Sequence, residues 1–173
     1  KAHDHILGYS VFNDVTQRDL QLAGYPVSMC KGFHSFGPLG PDLIPHDRVP
    51  DPQKLGFSLR VNGVAQQEGT LADMIFSIEK LVSLASHVFM LEPGDVITTG
   101  SPPGMFGYGL NPGDVIEAEV EGIGLLRCAL CIRRGQGGPL GLQAGPVALH
   151  GLECLQRSWI VRHKQWAGGV ALA

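Results

Sequence analysis

Asn62-Gly63 stands between two short runs, Phe57-Ser58-Leu59-Arg60-Val61 and Val64-Ala65-Gln66-Gln67. Two-residue hairpin turns that match the twist of their strands need positive φ at both central residues, and Asn-Gly meets that need at little cost. The first run alternates apolar and polar residues, the period of a strand with one buried face. The pair predicts a β-hairpin over residues 57–67. With 24 Gly and 12 Pro in 173 residues, the chain has many turns, which favours a β-rich architecture around that hairpin.

An internal echo supports the same reading. Leu91-Glu92-Pro93-Gly94-Asp95-Val96-Ile97 is matched by Leu110-Asn111-Pro112-Gly113-Asp114-Val115-Ile116. In each copy Pro sets the first central φ of a turn, Gly tolerates the positive φ of a type II second position, and a β-branched strand follows. The Asp after each Gly reads as a turn acceptor. The second copy runs on as Val115 to Glu121, alternating apolar and acidic residues, which predicts a strand with one wet face. Gly8-Tyr9-Ser10-Val11-Phe12 reads as a further strand.

One clear helix is expected. Thr70 is placed to cap it, with Asp73 three residues on. Met74, Ile75, Ile78, Leu81, Val82, Ala85, Val88 and Phe89 follow at helical spacing, the pattern of a core-facing stripe. Gly32 to Pro52 is dense in Gly and Pro and reads as an irregular connection, because Pro removes a donor and turns its predecessor away from helix.

The polar cluster Asn13-Asp14-Val15-Thr16-Gln17-Arg18-Asp19-Leu20-Gln21, with Lys31 ten residues beyond it, follows the first strand directly. Strand ends that carry such residues build the rims of sites. Thr99-Gly100-Ser101-Pro102-Pro103-Gly104 repeats the arrangement after another apolar strand.

Composition bounds the function. The chain is 44% hydrophobic and 17% charged, with a formal net charge of -3. That suffices for one domain with a core. The absence of any basic run argues against nucleic-acid binding, and no apolar stretch is long and clean enough for a bilayer. No signal peptide is visible, so a cytoplasmic location with reduced thiols is expected. Cys128 and Cys131 form a C-x-x-C, but no second pair follows at zinc-site spacing, and no functional role is assigned to the four cysteines.

GYSVFNDVTQRDLQ, MCKGFHSFGPLGPDLIP, LRVNGVAQQEG, MIFSIEKLVSLAS and LEPGDVITTGSPPGMFGYGLNPGDVIEAEVEGIG, taken in order from about Gly8 to about Arg127, resemble the fumarylacetoacetate hydrolase family. The resemblance is nearest to its bacterial-type enzymes of 2-oxo acid metabolism. It implies a mainly β (α+β) fold, a mixed β-sandwich roll with one long core helix. It divides the chain into a catalytic domain over residues 1–127 and an atypical tail over 128–173, expected to stay out of the core.

The resemblance also implies chemistry. A 2-oxo acid or acylpyruvate head chelates Mg²⁺ or Mn²⁺, and the metal stabilises the enolate formed as a C–C bond is hydrolysed. Asp14 matches the family's Asp metal ligand. Arg18 and Gln21 match its R-D-x-Q, an Arg fork for a carboxylate with an amide beside it. Lys31 matches a lysine able to hold negative charge or move a proton. Thr99 and Gly100 match a substrate-binding loop. Asp19 is expected to brace the rim. The family's Glu-x-Glu ligands and its His-Glu pair belong before Gly8, where Lys1 to Leu7 offers only Asp4 and histidines, so the natural N-terminus is expected to lie upstream. The implied partners are a small-molecule 2-oxo acid and a second copy of the chain in a homodimer. The alternatives are an isomerase or decarboxylase acting on 2-hydroxy-dienedioates, and an inactive family fragment.

Overall fold

A computed structural model describes residues 1–103, 109–132, 147–150 and 169–172. In chain order the elements are β1 (Gly8–Phe12), α1 (Arg18–Leu22), α2 (Val27–Lys31), β2 (Leu39–Pro45), β3 (Gly56–Val61), β4 (Val64–Thr70), α3 (Ile78–Val88), β5 (Val96–Thr98), β6 (Val115–Val120), β7 (Gly124–Ile132), β8 (Val147–His150) and β9 (Gly169–Leu172). The strands form two sheets, ordered β2-β1-β9-β5 and β4-β3-β6-β7-β8. The first is mixed, because β9 lies parallel to both β1 and β5 while β2 is antiparallel to β1. The mainly β architecture with a single helix beyond two turns among the described residues is the one expected.

The core lies where the sheets and α3 meet. Tyr9 and Val11 of β1, Ala118 and Val120 of β6, Leu126 and Cys128 of β7, and Ile78 and Val82 of α3 all join one buried cluster. Each fully buried aliphatic side chain there contributes about 1.5–3 kcal/mol of transfer free energy. β1 is buried along four of its five residues. Its buried Ser10 donates its hydroxyl to the Asp42 carbonyl at 2.7 Å, so that polar group keeps a partner when the strand is enclosed.

Turn chemistry is as expected. Asn62 and Gly63 have φ of 51° and 80°, closing Val61 against Val64. Asn62 also accepts from the Val115 amide at 2.9 Å and donates to Asp114 at 2.8 Å, joining the hairpin tip to the second Pro-Gly turn. Gly94 and Gly113 have φ of 98° and 94°. Asp95 and Asp114 accept from the amides of Glu92 and Asn111 at 2.8 and 2.7 Å, so both serve as turn acceptors. The Asn111 amide, helped by Asn62, holds the Asp114 carboxyl below its usual range. The acidic residues of β6 pair with basic ones on neighbouring strands, Glu117 with Arg127 at 3.1 Å and Glu119 with Arg60 at 3.7 Å.

Tyr9 is fully enclosed and its hydroxyl lies 2.8 Å from His46 Nδ1. Burial, with a smaller push from Glu79, raises its phenol from 10.0 to about 12. The phenol therefore stays neutral beside His46 at neutral pH. A group whose pKa is raised by folding stabilises fully below its unfolded value and loses that contribution as pH rises through its folded value. Stability is expected to fall as pH climbs from 10 through about 12, and Tyr9→Phe should flatten that part of the curve in denaturant titrations at each pH.

Three expectations are corrected. The connection Gly32 to Pro52 contains a strand, β2, paired antiparallel to β1 (Gly8 opposite Pro45, Phe12 opposite Leu39). Its prolines are tolerated because β2 is the edge of its sheet, where a missing N–H costs no ladder bond. The helix begins at Ile78, not after Thr70. Thr70 does cap a turn, accepting from the Ala72 amide at 3.2 Å, but that turn is 3₁₀ and ends at Asp73. Ser77 caps α3 by accepting from the Lys80 amide, and Gln53 enforces the break, donating to the Leu71 carbonyl and accepting from the Ile78 amide. Consequently only part of the apolar stripe faces inward: Ile78 and Val82 are buried, whereas Ile75, Val88 and Phe89 are exposed. Finally, two further helices, α1 and α2, each of five residues, carry Arg18 to Gln21 of the polar cluster and Lys31.

The division expected after Arg127 falls inside β7, which runs to Ile132. Cys128 and Leu130 are each 2% exposed. With Leu126 they form the inward alternation of the strand, a buried thiol behaving as a small apolar group. Burial pushes the Cys128 thiol up to about 11, which leaves little reactive thiolate at neutral pH. Beyond that strand, β8 pairs with β7 and β9 with β1 and β5. The rest of the expected tail lies outside the described residues.

Candidate active site

The first strand ends at Phe12, and the next residues form a fixed turn. Asn13 donates its amide to the Pro38 carbonyl and Val15 donates to the Asn13 carbonyl. Val15 is buried, which pins the backbone on either side of Asp14. Gln17 then donates its amide to the Cys30 carbonyl at 2.8 Å. Cys30 is wholly buried, so this bond fastens the end of α2 against the turn. The next residue is Lys31, and its ammonium binds an Asp14 carboxylate oxygen. Seventeen positions apart in sequence, the two charges meet because a buried cysteine anchors one side and a buried valine the other. Both side chains stay partly exposed, at 34% and 24%, so solvent reaches the pair.

Arg18 and Gln21 sit one turn apart on α1, where residues i and i+3 share a face. The Arg18 guanidinium donates to the Gln21 side-chain carbonyl. Asp19 accepts from the Gln17 side-chain amide at 2.6 Å.

A cleft of about 430 Å³ opens beside this rim. Asp14 and Arg18 line it on one side, Phe57 and Leu59 of β3 form an apolar wall, and Ser101 and Pro102 close another edge. Lys31 and Gln21 are not in the lining and reach it through Asp14 and Arg18. Thr99 and Gly100 are not in the lining either. They lie directly after β5, where Gly100 takes φ of 100° and swings the chain toward Ser101. Sequence reasoning missed Gln66, Gln67 and Ser101 as lining residues. Ser101 was within reach as part of the polar loop, whereas the glutamines depend on strand pairing.

Among the described residues, no group of three or more His, Cys, Asp or Glu side chains is placed to hold a metal ion. A hard divalent cation of the Mg²⁺ kind wants about six oxygen donors. Asp14 offers one carboxylate, and one of its oxygens already accepts from Lys31. These residues therefore supply at most one corner of such a site. No helix among the described residues is long and apolar enough to cross a membrane.

Comparison with known proteins agrees with this fold. The fumarylacetoacetate (FAA) hydrolase C-terminal family matches residues 1–131. An uncharacterized protein of Pyrococcus abyssi is 48% identical over 130 residues, covering 73% of this chain and 56% of that protein. The crystal structure of 5-carboxymethyl-2-hydroxymuconate delta-isomerase from Mycobacterium smegmatis superposes with a TM-score of 0.69 at 36% identity, over 78% of this chain and 51% of the isomerase. Fumarylpyruvate hydrolase from Pseudomonas aeruginosa, solved in complex with Mn²⁺ and pyruvate, gives 0.64 at 33% identity, over 73% of this chain and 55% of the hydrolase. The chain thus spans about half the length of the relatives it matches. Sequence, fold and the match over residues 1–131 agree: the chain belongs to the fumarylacetoacetate hydrolase family.

Proposed function

We propose that this chain is the substrate-binding part of a divalent-metal-dependent enzyme that hydrolyses a C–C bond in a small 2-oxo acid of the acylpyruvate type. The observation that carries the reading is the joining of Asp14 to Lys31 and of Arg18 to Gln21 at the rim of one cleft. Arg18 offers a fork of donors suited to the substrate carboxylate, and Gln21 orients that fork and can donate to a neighbouring keto oxygen. Lys31, held beside the lining by Asp14, would hold negative charge that develops on the keto oxygen, or return a proton to it. Thr99 and Gly100 supply a hydroxyl and an amide beyond the far edge of the cleft. Asp14 would give one oxygen to the metal, whose other ligands come from outside the described residues. The metal, when bound, supplies Lewis-acid polarisation of the 2-oxo acid head.

The likeness to an isomerase at the higher of the two TM-scores favours a second reading, in which the same platform moves a proton along a 2-hydroxy-dienedioate. The two readings part on products. With Mg²⁺ or Mn²⁺, the full-length gene product is expected to convert an acylpyruvate and water to pyruvate and a carboxylic acid. Isomerised dienedioate without cleavage would favour the second reading. No turnover of acylpyruvates, oxaloacetate or dienedioates would overturn both.

A further inference from the structure

Gln66 and Gln67 are consecutive residues of β4, yet both are half-buried and both line the cleft. In a regular strand, neighbours point to opposite faces. The cause is in the ladder: Leu59 pairs with Gln67 and Arg60 with Ala65, so Gln66 has no partner opposite. This is a β-bulge, an extra residue that re-aims the side chains around it.

Gln67 uses that direction for a specific contact. Its side-chain nitrogen donates to the Pro102 carbonyl at 3.0 Å and to the Pro103 carbonyl at 3.2 Å. A primary amide has two N–H groups, so it can serve both carbonyls together. The acceptors are consecutive prolines, which carry no N–H and cannot knit this segment to a strand by a backbone ladder. Just before the prolines, Gly100 takes φ of 100°, a conformation that glycine adopts without strain. The Pro102 and Pro103 carbonyls accept from outside their own segment, and Gln67 is placed as their donor.

We propose that Gln67 is a positioning residue: carried into the cleft by the β4 bulge, it clamps residues 99–103 by their proline carbonyls and so fixes the wall that meets the substrate. The clamp stands on geometry alone, and its bearing on substrate rests on the function proposed above. Gln67→Glu keeps the shape but aims a carboxylate at two carbonyls, and Gln67→Leu removes the donor. Gln67→Lys restores an N–H donor.

Hydrogen exchange is read on the full-length protein at the Thr99, Gly100 and Ser101 amides, with β3 as internal control. Both Gln67→Glu and Gln67→Leu are expected to speed exchange in residues 99–101 by about tenfold, the scale of a modest net hydrogen-bond contribution. The lysine variant should stay near wild type and β3 unchanged. Pyruvate, the binding probe in the presence of Mn²⁺, should bind the two loosened variants about tenfold more weakly. Unchanged exchange in residues 99–101, or an equal rise in β3, overturns the clamp. Faster exchange with unaltered pyruvate affinity overturns its link to the site. A wild-type protein that does not bind pyruvate overturns the proposed function instead, and exchange still decides the clamp.

Discussion

Ending the chain after Arg127 is expected to unfold it. The cut removes Cys128 and Leu130, each 2% exposed in the core. It also removes the partners that hold the second Pro-Gly turn, where Gly113 donates to the Leu130 carbonyl at 2.7 Å and Leu130 donates to the Asp114 carbonyl at 2.8 Å. Truncating a single buried leucine to alanine costs about 2–5 kcal/mol. Losing two buried side chains and the end of a central strand should exceed that, against a total stability of about 5–15 kcal/mol for a typical domain. Circular dichroism and urea titration of chains ending at Arg127 and at Ile132 test this. The shorter should lose its cooperative transition and the longer keep more of it. Matching melting curves for the two would place the core elsewhere.

Lys31→Met should lower kcat of the full-length enzyme by about 10²-fold or more, the usual scale for losing a positioned acid–base group. Its effect on stability should be small. The pair with Asp14 is partly exposed, and exposed ion pairs contribute about 0–1 kcal/mol. Lys31→Arg separates two roles: it preserves charge but does not readily give up a proton, so recovery of turnover in that variant would assign the side chain to charge stabilisation alone. Near-normal turnover in Lys31→Met would make it a structural lysine.

What could be read from the sequence follows the range of the interaction involved. Asn62-Gly63 and the two Pro-Gly turns were legible because positive φ is a property of the residue itself. β2 was not, because a proline-bearing strand is permitted only at an edge, and edge position is decided by other strands. Thr70 and Ser77 are both competent caps, and the choice between them is made by Gln53, 25 positions before Ile78. α1 and α2, at five residues each, are shorter than the window in which periodicity can be measured. For the site, the resemblance singled out Asp14, Arg18, Gln21 and Lys31, which the structure gathers at one rim, and Thr99 and Gly100, which lie outside the cleft lining. It left out Gln66 and Gln67, since an offset in pairing leaves no mark in a single chain.

The rim pairs described above have a consequence for how the site responds to occupancy. Lys31 holds Asp14, and Arg18 holds Gln21, so a ligand entering the cleft trades partners instead of finding idle ones. Its affinity is then a difference between two sets of bonds, and a small anion that satisfies only one group gains little by the exchange. The trade is also linked: whatever draws the carboxylate of Asp14 away releases the ammonium of Lys31 for a new acceptor in the same event. Under the proposed function, the Lys31 ammonium therefore becomes available to a substrate only when something competes successfully for the carboxylate beside it.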